Sequence, residues 1–258
     1  MTAVPRNFPF RQVLAGAFVL PWRHRVDVTH AAGLPLLAIV VAMSCADAFE
    51  SSFVGFSGQV ALLLAMLWLA LAMHRLVLVL DWQPQRLFGE LKLGRLLRFF
   101  GAGIWLAIVY TAVYLLVMAT LAFAGEAAGS IPQEESVWDR MFSFDGWANE
   151  VGSALAYLVI GRLSLVFPAI ALDRDANYGA FWRMSRGNGW RVAITVGALP
   201  WFLDSIISAM WREETSLFEI AGLGVLTGVV TIVEVIALSL TYRELTHAFA
   251  PPPTHPPG

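Results

Sequence analysis

A single cysteine, Cys45, stands in a chain of 258 residues, and charge is scarce as well: Asp, Glu, Lys and Arg together make up 14%. One cysteine excludes an intramolecular disulfide and any cysteine-built metal site. So little charge excludes a soluble surface, because an ordinary globular domain carries about a quarter of its residues charged. The histidines, His24, His30, His74, His247 and His255, show no HExxH spacing and no acidic cluster, so no metal is expected. A glycine-rich phosphate loop, a nucleophile elbow and a dinucleotide-binding fingerprint are missing too. No catalytic residue and no cofactor is therefore expected. The basic residues are spread over several links instead of forming one patch, which argues against nucleic acid as a partner.

What the chain does have is hydrophobic residues, 58% of the total, at a mean hydropathy of +0.66. Six apolar runs lie near 33–49, 58–80, 99–123, 150–172, 191–211 and 220–242. At about 1.5 Å per residue, each can approach or cross a hydrocarbon layer roughly 30 Å thick. The expected fold class is all-α: a polytopic transmembrane helical bundle forming one domain over 1–249, followed by a disordered proline-rich tail at 250–258. The third run is the cleanest, with no ionisable side chain except tyrosine from Phe99 to Phe123. The first is the weakest, being short, interrupted by Pro35 and closed by Asp47; a five-span chain in which it is re-entrant is the alternative. Before it, Arg6 and Arg11 precede too short an apolar stretch for a cleavable signal, and the cluster of Trp22, Arg23, His24 and Arg25 follows directly.

The links set the orientation. Of the 17 basic residues, only Arg140 and Arg212 fall outside the segments before the first span, between the second and third, between the fourth and fifth, and after the sixth. The opposite links carry Glu50, Glu126, Glu134, Glu135, Asp139, Asp145, Glu213, Glu214 and Glu219. Short loops rich in Lys and Arg stay in the cytoplasm, so both termini are expected there. Trp22, Trp82, Trp182 and Trp190 then fall at the cytoplasmic interface and Trp138, Trp147 and Trp211 at the outer one, while Trp68, Trp105 and Trp201 are expected to pack between helices.

Each basic segment also holds an amphipathic stretch. Phe10, Leu14, Ala17 and Phe18 share a face of an N-terminal helix near 8–24; Leu87, Phe88 and Leu91 do so in the second link, and Tyr178, Phe181, Trp182 and Ser185 in the third. Such helices lie in the interface with their cations toward anionic headgroups, which nominates Arg11, Arg23, Arg25, Arg86, Lys92, Arg95, Arg183 and Arg186 as lipid-headgroup contacts. The plainer reading is that they anchor the links.

Ionisable groups inside spans are expensive and need partners. Arg162 and Glu234 sit at similar depth on spans four and six and form the expected intramembrane pair, read most simply as a buried pair that fixes helix register. Gly224, Thr227, Thr231 and Glu234 form a polar stripe on span six, and Gly224 with Gly228 permits close helix packing within the bundle. Asp204 has no basic residue at its depth, which calls for a wet cavity or a proton.

The segment running from Arg162 through Pro168 and Asp173 to Tyr178, Ala180, Trp182, Ser185, Arg186, Gly187, Asn188, Gly189 and Trp190 resembles a group of bacterial multi-spanning proteins. That group includes the membrane domain fused to some glycerophosphoryl diester phosphodiesterases, and a fainter match lies from Met73 to Leu78. The resemblance implies a bundle of about six spans with interfacial helices between them, in a bacterial inner membrane. It brings no catalytic residue with it, since the chain has no room for the soluble phosphodiesterase barrel. Two function classes stay open. One is a non-catalytic scaffold, assembly factor or accessory subunit that meets anionic lipids through cytoplasmic arginines and a membrane-protein partner through its helices. The alternative is a transporter or lipid-handling protein with a central polar cavity.

Overall fold

Two short helices and a pair of interrupted spans complicate an otherwise regular pattern of long apolar helices. The structure is a computed structural model describing residues 8–48, 53–79, 92–127, 147–210 and 216–249, and among these there is no strand. Helix α1 (Phe10–Arg23) passes into α2 (Arg25–Ala48) through His24 alone, whose N–H bonds to the Leu20 carbonyl. Then come α3 (Phe53–Leu78), α4 (Leu93–Ala127), α5 (Trp147–Leu163) and the short α6 (Val166–Ala171). Helix α7 (Tyr178–Met184) leads to α8 (Gly189–Ala193), a π-helical turn (Ile194–Ala198), α9 (Leu199–Met210) and finally α10 (Leu217–Phe249).

Six helical stretches are long and apolar enough to cross a bilayer: Arg25–Ala48, Phe53–Leu78, Leu93–Ala124, Ala148–Ala171, Gly189–Met210 and Leu217–Thr246. That is the pattern of a multi-pass membrane protein. The first run, weakest in the sequence, is a full-length helix because it starts at Arg25 instead of near 33 and continues through a buried Pro35. With α4 at 35 residues and α10 at 33, each is near 50 Å long at about 1.5 Å per residue, well beyond the hydrocarbon thickness.

Prolines account for both interruptions. Pro168 has no N–H to give the Ser164 carbonyl, so the helix closes there on a tighter bond from Phe167 N–H to Ser164 O at 2.9 Å and restarts as α6. Pro200 likewise cannot donate to Val196, and the preceding turn widens to π spacing. Two glycines hold the widened turn against α5. A Cβ on Gly161 would stand 2.6 Å from the Val196 carbonyl oxygen, and one on Gly197 would stand 2.5 Å from the Tyr157 carbonyl oxygen. Backbone therefore meets backbone at this crossing, which only glycine permits.

Helix α10 is the axis of the bundle, packing against α1, α2, α3 and α9, with Ile232, Ile236 and Leu240 buried. Gly224 and Gly228 lie against Val40 and Leu36 of α2, so this small-residue face is used inside the chain. Helix α1 buries Val13 and Ala17 on α10 and leaves Phe18 exposed, which rotates its buried edge away from the face expected from Phe10, Leu14, Ala17 and Phe18. By contrast α4 is the least buried of the six, packing chiefly on α5 and α6. Trp105 consequently lies 51% exposed on the outer face of α4 and not between helices.

Candidate functional site

The far end of α5 from its arginine opens a run of polar side chains. Asn149, Ser153 and Tyr157 recur every four residues and so share one face of α5. Tyr114 of α4 donates to Asn149 Oδ1 at 2.8 Å, and Tyr110 shares a 2.9 Å hydrogen bond with Ser153. The Tyr110 and Tyr114 rings stack at 6.2 Å, and Tyr110 meets Tyr157 edge-on at 5.5 Å. Tyr157 in turn donates to Asp204 Oδ2 at 2.5 Å. The glycine crossing at Gly161 and Gly197 sits one turn from Tyr157 and two turns from Asp204, and this close approach brings the two side chains together.

Glu234 lies on α10, which packs against α9, and is within electrostatic range of Asp204. Its Oε1 atom is buried and has no hydrogen-bond partner among the described residues. No Lys, Arg or His among the described residues forms an ion pair with Asp204 or Glu234. Buried carboxylates without a cation are costly in a bilayer interior, and each acid here requires a proton or a bound cation for neutrality. Thr227 and Thr231 stand apart from the group: Thr231 bonds to the Thr227 carbonyl at 2.8 Å and faces Met66 of α3. The expected polar stripe on span six is thus divided between two neighbours, Thr231 toward α3 and Glu234 toward α9.

The expected Arg162–Glu234 pair is not formed. Arg162 lies in the last turn of α5 and reaches out of the bundle, its guanidinium 3.6 Å over the Trp182 ring. It donates to Ser185 Oγ at 2.8 and 3.1 Å and to the Trp182 carbonyl at 3.2 Å, so α7 satisfies it and not α10. Equal depth along two helices places two groups in one layer of the bundle but says nothing about which way each helix turns them.

Other cations gather at the same end as Arg162. Arg75 Nη1 donates to the Ala171 carbonyl at 3.0 Å. Arg95 was expected at lipid headgroups, yet it is 3% exposed and grips Asp173 with two donors, while Arg98 adds a third contact at 3.0 Å. Asp173 ends α6 with φ 56°, a left-handed conformation that Asp tolerates better than most residues. Its hydrogen bond to Arg95 holds its carboxyl below the ordinary carboxylate range despite partial burial, with the charges of Arg95, Arg98 and Lys92 assisting. Nearby, His74 is buried with Nδ1 2.7 Å from Ser239 Oγ, whose only proton is directed to the Val235 carbonyl; Nδ1–H is therefore the donor. Of the remaining expected headgroup contacts, Arg11, Arg23, Arg25, Lys92, Arg183 and Arg186 are exposed, and Arg86 lies outside the described residues. The amphipathic stretch at Leu87, Phe88 and Leu91 lies outside them as well.

Tyr157 and its tyrosine and amide neighbours were not singled out from the sequence. The signal was available as polar positions four apart on both spans, 110 and 114 facing 149, 153 and 157, but tyrosine counts as apolar in a hydropathy reading. Among the described residues no group of three His, Cys, Asp or Glu side chains is arranged to hold a metal ion. No family model matches the chain, and no curated protein and no solved structure matches it.

Proposed function

We propose that the protein is a membrane transporter or conduit for protons or small monovalent cations, with Tyr157, Asp204 and Glu234 as its intramembrane site. One observation carries the reading: two acids on packed helices, α9 and α10, have no basic partner among the described residues, and one of them has a buried oxygen that bonds to nothing there. An acid retained in that setting is a functional candidate by default, because burial taxes its charge and helix register can be fixed more cheaply by apolar packing. The hydroxyl and amide run from Asn149 to Tyr157 supports it by supplying exchangeable groups toward Asp204. The widened turn beside Tyr157 supports it too, since π segments concentrate at functional sites.

The orientation belongs to this reading: a bacterial inner membrane, with both termini and the arginine-bearing end in the cytoplasm. The gathering of Arg75, Arg95, Arg98 and Arg162 around α6 and α7 supports it. Thiol labelling of a Glu135→Cys, Cys45→Ser chain in sealed vesicles tests it, and modification from the cytoplasmic side alone would overturn it. Flux is tested in proteoliposomes holding a trapped pH dye and a potassium diffusion potential. Wild type is expected to acidify or alkalinise the lumen with the imposed potential, and Glu234→Gln and Asp204→Asn to abolish the signal while inserting normally. Flux equal to wild type in both variants would sink the proposal.

A second reading, a non-catalytic accessory or scaffold protein, is favoured by the outward cations Arg11, Arg23, Arg25, Arg183 and Arg186 beside exposed Trp22, Trp182 and Trp190. It requires a stoichiometric membrane-protein partner that dissociates when those arginines are neutralised and stays bound to Glu234→Gln.

A further inference from the structure

A shallow groove of about 380 Å³ runs along the outer face of α4, floored by Gly101 and Ala102, walled by Trp105, Val166 and Ile170, and capped by Tyr178. Arg98 stands at the end of the groove nearest the arginine-rich links. We propose that this groove is a binding site for one anionic glycerophospholipid, with an acyl chain along Gly101 and Trp105 and the headgroup phosphate on Arg98. The assignment is independent of cation transport.

Charge selects the headgroup. Asp173 carries one negative charge, and the buried Arg95 meets it with a two-donor grip. Arg98 touches the same carboxylate through one bond and remains 54% exposed, and so keeps donors and a charge that no other ion pair among the described residues offsets. Exposed Lys92, whose charge also acts on Asp173, adds to that excess. Three basic residues around one acid form an anion site at the depth where a phosphate lies.

Shape and position select the rest of the ligand. From Arg98 to Trp105 the helix climbs about 10 Å, which carries the groove from the interface into the hydrocarbon layer. Its lining is almost wholly apolar below the arginine, and α4 is the span with the least protein around it. A Cβ on Gly101 would meet nothing within 4 Å, so this glycine serves no helix contact among the described residues; it widens the groove. Glycine in a helix interior is less stable than alanine, and here no close approach of another helix among the described residues accounts for it.

The test is native mass spectrometry of protein released from nanodiscs made of equal parts phosphatidylglycerol and phosphatidylcholine. Wild type is expected to retain one phosphatidylglycerol in preference to phosphatidylcholine. Arg98→Gln should lower that preference about fivefold, the size expected for one basic residue at an anionic surface. Gly101→Leu, whose Cβ meets nothing within 4 Å, should remove the retained lipid of either kind by filling the groove. Arg243→Gln, which removes the same charge from α10, should change nothing. Should Arg98→Gln fail to insert, Lys92→Gln reads the same rim and is expected to lower the preference in the same direction. Equal retention of the two lipids by wild type, an unchanged preference in the rim variants, or an equal loss in Arg243→Gln would overturn the assignment. So would a dimer crosslinked efficiently through Gly101→Cys in a Cys45→Ser chain, since a second copy would then occupy the groove.

Discussion

Two sets of charged side chains divide this molecule. At the arginine-rich end four arginines meet polar partners: Arg95 and Arg98 on Asp173, Arg162 on Ser185 and Trp182, Arg75 on Ala171. On the packed helices α9 and α10, Asp204 and Glu234 have no ion pair among the described residues, and Asp204 takes its hydrogen bond from Tyr157. The first arrangement stitches links to spans and reads as structure. The second is costly to keep and does nothing evident for stability, which is why it carries the functional proposal. Substitutions in the two regions should therefore move stability in different directions.

The largest effect is expected where neither region's charge is touched. Gly161→Leu drives a side chain into the Val196 carbonyl and should destabilise the fold by about 3 kcal/mol or more, read as loss of monodisperse protein and a lower thermal midpoint in detergent. If it is tolerated, the α5 crossing does not hold the acid site together. Next comes Asp173→Asn, which suits the left-handed backbone but strips the countercharge from Arg95. Because water reaches Asp173, a loss of about 1–2 kcal/mol is expected, short of the full cost of breaking a buried pair.

A smaller effect follows from pH. The Asp173 carboxyl is held below its unfolded value, so its stabilisation is complete above that value and disappears as pH falls through the folded one. Wild type should thus lose thermal stability below about pH 4 more steeply than Asp173→Asn. Parallel acid limbs in the two proteins would assign that loss to other carboxyls. The smallest effect is expected at the acid site itself. Glu234→Gln should leave the thermal midpoint unchanged or raise it by no more than about 1 kcal/mol of stability, since a carboxyl with one buried, unpartnered oxygen is replaced by a neutral amide. A marked loss there would turn the acid pair into a structural element and erase the contrast with Asp173.

The spans were legible because a bilayer demands length and apolarity, and both are written along the chain one residue at a time. Even the doubtful first run followed, once Arg25 through Pro35 joined it as one helix. Side-chain partners were far less legible. Counting residues put Arg162 and Glu234 at similar depth, but pairing also depends on which way each side chain turns, and Arg162 turns to Ser185 and Trp182. Arg95 read as a surface cation because nothing in its neighbours announces that Asp173, far along the chain, would close a link over it. Tyr157 was hidden by its own chemistry, an aromatic ring to a hydropathy scale and a hydroxyl donor to Asp204. The π-helical turn follows from Pro200 after the fact, yet a proline in a span predicts a kink equally well.

The contact between α1 and α10 has a consequence for biogenesis. Gly16 lies against Leu240, and the groove between those helices holds Arg23, His24 and Arg243. A ribosome delivers α1 long before α10, so the early helix must wait without its natural cover while the intervening helices are made. Its Val13 and Ala17 edge is meanwhile open to lipid or to chaperones. Closure of the bundle is then a late, long-range event, and translation stalled before Leu240 would leave the last span incomplete and the amino-terminal helix undocked.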